Sequence, residues 1–188
     1  MNDIEEMKKL WDSMNHKLSQ FEKENQILAE KVKKNNMKSS QEKLIDKYRK
    51  FIIVECLMII VISLTLSSNP EVNEHYRWIT IIYWVAFFLI EIAFDLYLLR
   101  KVKEIDIYNQ PVNEIACRAY ANWRLHKAGI LFGMPLAVGA VVLYALCMNA
   151  NYFVILGMCV GGIVGLIIGL FHLRKFSQYY RSMQPDND

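Results

Sequence analysis

Up to position 50 apolar residues come singly and at regular intervals; beyond it they come in nearly unbroken runs. Ile4, Met7, Trp11, Met14, Leu18, Phe21, Asn25, Leu28 and Val32 follow one another by steps of three and four. That spacing places them on one stripe of a helix through four heptads, with Asn25 the single polar residue of the seam, at an a position. The later runs are Phe51 to Leu66, extendable to Ser68, then Trp78 to Leu99, Ala128 to Met148 and Tyr152 to Phe171. Each approaches the roughly 20 residues that a helix rising about 1.5 Å per residue needs to cross a hydrocarbon core of about 30 Å. The pattern predicts an all-α fold: an integral-membrane four-helix bundle with spans 51–68, 78–99, 128–148 and 152–171, preceded by an N-terminal cytoplasmic amphipathic or coiled-coil helix over 1–36.

The connecting segments add detail. After Val32 comes KKNNMKSSQEK, in which Ser39 and Glu42 make a capping-box pattern. A new helix is therefore expected from Ser39 through Tyr48 into the first span. Asn35 to Ser39 becomes a hinge, and 37–50 a hinge and juxtamembrane unit. In the linker 100–127, Pro111 is placed as a first-turn helix residue. Ile115, Ala119, Asn122 and His126 then share one stripe, and Ile105, Ile107 and Tyr108 either pack on that helix or meet a partner. Pro135 should kink the third span, because it removes a backbone hydrogen bond inside the helix. Residues 172–188 form a tail.

Charge changes the picture by its placement. The chain of 188 residues is 54% hydrophobic and 22% charged, which would suit a globular domain if the charges were mixed through it. They are not: residues 1–50 hold twelve Lys/Arg and nine Asp/Glu, whereas the four spans hold only Glu55, Glu91 and Asp95. This excludes a soluble globular domain. Lys and Arg near span ends are retained in the cytoplasm. Twelve precede span one, six lie between spans two and three, three follow span four, and Arg77 alone falls on the other side. Both termini are expected in the cytoplasm. Fifty polar residues precede the first apolar run, so no cleavable signal peptide is expected and span one serves as its own insertion signal. Tyrosines and tryptophans near the span ends, among them Tyr48, Tyr97, Trp123 and Tyr180, read as interfacial anchors. A net charge of +3 is too small to suggest direct nucleic-acid binding.

Candidate chemistry is sparse. The four histidines and four cysteines form no HExxH, CxxC or zinc spacing, and every glycine lies within a span, so no phosphate loop exists. No catalytic residue, metal or cofactor is expected, and the chain reads as a non-enzyme. The intramembrane carboxylates are the exception, since ionisable groups in lipid are costly. Glu55, Glu91 and Asp95 with Arg124, His126 and His172 form a candidate polar cluster, with Lys127 and Arg174 as further partners. It would act by interhelical ion pairing or as the proton or cation site of a small carrier. Gly157, Gly161, Gly165 and Gly169 recur every four residues and predict a close-packing face, against span three in a hairpin or against a second copy. The seam of the arm can close on itself as a coiled coil, serve as a scaffold, or dock into another protein's groove. Membrane lipid, a cytoplasmic protein and a second copy are the partners expected.

The YRWITIIYWVAFFLIEI run, the IDIYN turn and the glycine-rich last hairpin together resemble a group of bacterial four-span membrane proteins encoded beside extracytoplasmic-function sigma factors. The resemblance implies a regulator of the bacterial inner membrane, an anti-sigma factor that would bind a sigma factor through its cytoplasmic arm. The chain departs from zinc-type anti-sigma domains in lacking HxxxCxxC.

Overall fold

The computed structural model describes residues 2–70, 72–148 and 152–184, with side chains from residue 5 onward except at 153 and 154. The side chain of Ile4 and the NAN turn at 149–151 lie outside the described residues. The described residues form four helices, α1 (Asn2–Ser68), α2 (Glu74–Lys103), α3 (Val112–Cys147) and α4 (Tyr152–Arg181), and contain no strand. All four are long and apolar enough to cross a membrane. The chain is an all-α, multi-pass four-helix bundle, with the first half of α1 projecting from one end as an arm.

α1 runs unbroken for 67 residues, about 100 Å at the rise of an α-helix. The hinge expected at Asn35 to Ser39 is therefore absent, and Ser39 is an exposed mid-helix residue that caps nothing. The polar segment contains no glycine or proline, and asparagine or serine costs a helix only up to about 0.7 kcal/mol each relative to alanine. Packing outweighs that cost. Met37, Leu44 and Tyr48 are fully buried, and Ser40 and Gln41 nearly so.

These residues belong to the main core, which lies at the arm end of the bundle. It joins Leu98 and Val102 of α2, Ile105 and Ile107 of the α2–α3 connection, Ile115 and Ala119 of α3, and Phe176 and Tyr180 of α4. Gln41 donates from Nε2 to the carbonyls of Val102 and Ile105, both at 2.8 Å. It thereby adds donors to one oxygen at the end of α2 and one just beyond it, the Val102 carbonyl also accepting from the Ile105 N–H at 3.4 Å. The connection is closed by Asp106, whose carboxylate accepts from the backbone N–H groups of Tyr108 (3.1 Å) and Asn109 (3.2 Å) and from the Asn109 side chain (2.7 Å). The Asn109 donors hold this carboxyl below its ordinary range. Ile105 and Ile107 turn inward while Tyr108 stays exposed, with Lys38 lying 4.9 Å from its ring centre. Pro111 is one residue outside α3, at φ −66° and ψ 148°, and its carbonyl accepts from Glu114 and Ile115. On the stripe that follows, Ile115, Ala119 and Asn122 are buried and His126 is half-buried. Tyr48 and Tyr180 are core residues with no exposure, not interfacial anchors.

A smaller cluster of Leu66, Val72 and Cys147 closes the far end, where the Asn73 N–H donates to the Cys147 carbonyl at 2.8 Å. α3 continues through Pro135.

The glycines divide differently from the expectation. Those of α3 make room for α2: a Cβ at Gly129 would clash with the edge of the Phe94 ring, one at Gly133 would lie 2.6 Å from the Glu91 carboxylate, and one at Gly139 would lie 2.7 Å from the Tyr83 hydroxyl. Around Gly157, Gly161, Gly165 and Gly169 a Cβ would meet nothing within 4 Å. The four-residue glycine repeat therefore does not pack α4 on α3. α4 is fastened at its arm end instead, by Phe176, Tyr180 and Met183 in the core and by Ser182 Oγ bonding Ser40 Oγ at 2.7 Å.

This contrast sets the first prediction. Gly129→Ala must displace an aromatic ring seated against the core and should cost about 1–3 kcal/mol, as overpacking does. Gly161→Ala should leave stability unchanged or raise it by up to about 1 kcal/mol, because alanine is the better helix former. Thermal unfolding in one detergent compares the two, and equal effects would place close helix packing at the wrong interface.

Candidate functional site

Just inside the arm-end core, residues from all four helices face a cavity of about 350 Å³. The helical period explains which ones. On α1, Tyr48, Phe51 and Glu55 succeed one another by three and four; on α2, Glu91 and Asp95 are four apart; on α3, His126 and Ile130 are four apart. α4 contributes Gly165, Gly169, His172 and Phe176 at steps of four, three and four. The α4 glycines thus line an open wall where side chains would fill space.

The three carboxylates share this cavity with His126 and His172. Arg124 does not join them: it is exposed and bonds nothing described, as are Lys127 and Arg174. All five ion pairs among the described residues join neighbours three or four apart, such as Asp46–Lys50 and Glu114–Arg118. None reaches Glu55, Glu91 or Asp95, so the interhelical ion pairing expected of the cluster is not formed. One Glu55 oxygen, Oε2, is buried without a hydrogen-bond partner, and so is His172 Nδ1. Glu91 lies along α3 at the space left by Gly133.

The arm-side wall is aromatic. The Tyr48 hydroxyl is 3.0 Å from His126 Nδ1 and 3.1 Å from the Tyr180 hydroxyl, so it bridges a chain of three polar groups from the core to the cavity. Its single proton serves one of those contacts, and the other partner must donate to it. His126 stacks on Phe176 at 4.6 Å between ring centres and on Trp123 at 5.7 Å. Lys47, one residue before Tyr48, lies 5.0 Å from the Phe176 ring centre and 5.4 Å from that of Tyr179, its ammonium buried without a hydrogen-bond partner. Sequence reasoning missed Tyr48, Phe51, Phe176 and Tyr180 as site residues. The signal that would have found them is periodic: 37, 41, 44, 48, 51 and 55 continue one inward stripe of α1 across the membrane boundary.

Among the described residues no three His, Cys, Asp or Glu groups are arranged to hold a metal ion. What the arrangement can do is accept or pass protons, or hold a cation against carboxylates and rings.

The second candidate site is the arm. Met7, Trp11, Met14, Leu18, Phe21, Leu28 and Val32 are all more than half exposed, and Asn25 is exposed with them. The step from Val32 to Met37 is five residues, so the seam is rotated by about 140° from the inward stripe at 3.6 residues per turn. Lys34 and Lys38 sit near that stripe instead, Lys34 Nζ donating to the Tyr108 carbonyl at 3.3 Å. The seam is consequently not the continuation of the packed face, and among the described residues no helix covers it. No family model, curated protein or solved structure matches the chain.

Tyr48→Phe should cost about 1–3 kcal/mol, because it leaves His126 and Tyr180 without the hydroxyl both engage. Tyr180→Phe should cost less, since one contact is lost, and adding it to Tyr48→Phe should cost less than the two separate effects summed. Denaturant unfolding of the four proteins in detergent tests this, and strict additivity would mean that the three groups do not act as a chain.

Proposed function

We propose that this chain is a membrane-anchored interaction protein of the bacterial inner membrane, with both termini in the cytoplasm, whose N-terminal arm docks on a cytoplasmic protein. The observation that carries this reading is α1 itself: one uninterrupted helix with an uncovered apolar seam at one end and a membrane span at the other. The surplus of basic residues at the arm end supports its cytoplasmic placement.

The shape of the seam favours docking over a simple coiled coil. At its outer end Leu10, at a g position, is 65% exposed beside Met7, Trp11 and Met14, so the apolar face there is broader than an a/d seam. A broad face with large anchors suits a helix laid into a partner's groove, and methionine adapts readily to such a surface. At its inner end Leu28 and Val32 border a groove with Ser182 and Gln184 beyond α4, where a partner could reach the bundle. A sigma factor is the partner suggested by the family resemblance and the first to offer. Because the arm does not hinge, anything that turns or shifts it acts on α1 as a whole, down to Tyr48 and Glu55 in the cavity.

A second reading rests on a different observation. Three carboxylates facing one intramembrane cavity without an ion-paired cation also suit a small proton or cation carrier. It predicts flux in proteoliposomes that Glu91→Gln abolishes.

Tagged full-length protein in detergent, used as bait in a cytoplasmic extract, tests the docking reading. It should retain a cytoplasmic protein, and Trp11→Ala with Phe21→Ala should weaken that binding by about 2 kcal/mol or more, the cost of truncating large anchors in a groove. Recovery of copies of the same chain alone, or a partner indifferent to both substitutions, would contradict it.

A further inference from the structure

α4 turns a second face outward, away from the cavity. Ile167, Leu170, Phe171, Arg174 and Ser177 follow a helical stripe and, with Trp123 of α3, line a groove of about 550 Å³. With the span ending at Phe171, Ile167 lies about 6 Å inside the hydrocarbon boundary and Arg174 about 4.5 Å outside it at the rise of an α-helix. The groove therefore crosses from hydrocarbon into the headgroup layer.

Its two ends differ chemically. The inner part is apolar and more than half exposed, at Ile167, Leu170 and Phe171. One cation lines the outer part, and two more lie against rings of the lining. Arg174 lines the groove itself; Lys127 Nζ lies 5.4 Å from the centre of the Trp123 ring, and Lys175 Nζ lies 4.5 Å from that of Phe171. Each ammonium is held over its ring by cation–π attraction, which leaves its N–H donors unspent. None of the three cations forms a hydrogen bond or ion pair with a described residue. The Ser177 hydroxyl adds an uncharged donor.

An apolar channel opening beneath unmatched positive charge fits one class of molecule in a membrane. We propose that this groove is a binding site for an anionic phospholipid of the arm-side leaflet, its phosphate held by Arg174, Lys127 and Lys175 and one acyl chain lying along Leu170 and Ile167 past Trp123. Basic pockets between membrane helices recognise anionic headgroups by this combination of charge and apolar contact. The site is distinct from the seam of the arm and borders the carboxylate cavity at Leu173, which lines both; it does not depend on either reading of function.

The test uses full-length protein in a neutral detergent, with phosphatidylglycerol and phosphatidylcholine of identical acyl chains titrated in and bound lipid counted by native mass spectrometry. Phosphatidylglycerol should bind at least fivefold more tightly than phosphatidylcholine. The triple substitution Lys127→Gln, Arg174→Gln and Lys175→Gln should remove that preference, whereas Lys8→Gln, Lys9→Gln and Lys17→Gln, an equal loss of charge on the arm, should leave it intact. Ile167→Trp, which fills the channel, should weaken phosphatidylglycerol binding while all three cations remain. Inorganic phosphate should neither bind measurably nor displace the lipid. Equal binding of the two lipids, undiminished preference in the triple variant, or displacement by free phosphate would overturn the proposal. If the triple variant fails to fold, Arg174→Gln alone and the two-lipid comparison on the unaltered protein decide the matter by the same criteria.

Discussion

The burial of residues 37–48 of α1 against the ends of the other three helices is the constraint on which the rest of the structure depends. Met37, Leu44 and Tyr48 bring apolar surface, and Gln41 brings donors to the carbonyls of Val102 and Ile105, at the end of α2 and just beyond it. A buried carbonyl left without a donor costs about 1–3 kcal/mol, so one glutamine ties α1 to α2 in a way that leucine at 41 could not. The same segment receives Phe176 and Tyr180 of α4 and Met183 just beyond it. That matters because the membrane part of α4 is largely exposed and its glycines meet no neighbour. A core at the arm end of the bundle thus fixes the direction of the arm and the position of α4 together.

The cavity is a consequence of that arrangement. α4 is fastened at its arm end and stands off at Gly165 and Gly169, leaving space beside Glu55, Glu91 and Asp95. Charged carboxylates in such a place are costly in free energy, and the structure supplies no ion-paired cation to offset them. It supplies instead Tyr48, His126 and Tyr180, hydrogen-bonded in series at the cavity's arm-side wall. Tyr48 and Glu55 lie on the helix that carries the seam, so arm, core and cavity share one continuous helix.

How far the sequence could be read depended on the physics behind each signal. The spans were legible because the thickness of hydrocarbon sets the length of an apolar run, and the stripe at Ile115, Ala119 and Asn122 was legible because helical period sets burial. The hinge was misread because Asn35, Asn36, Ser39 and Ser40 are locally poor helix residues, and local propensity is weak beside the burial of Met37 and Leu44. The glycine repeat of α4 does not close the hairpin with α3, because small residues permit close approach without compelling it. Of the glycines that do admit another helix, Gly129 and Gly133 are four apart as such a face requires, but they receive α2 and not α4, and Gly139 falls off that spacing. Tyr48 and Tyr180 were hidden by their position, since any tyrosine near a span boundary also reads as an anchor. Five of the six residues expected to form the polar cluster line one cavity, while Arg124 points out of it; three-dimensional packing alone decides which.

The central claim, that the arm is a rigid extension of a membrane helix fixed by the arm-end core, is tested most directly by a distance. Spin labels at Gln20 on the exposed arm and at Cys117 on exposed α3, with the other cysteines replaced, report the separation of arm and bundle in reconstituted full-length protein. A single narrow distribution is the result the account predicts. A broad or two-peaked distribution would contradict it and restore a joint between Asn35 and Ser39.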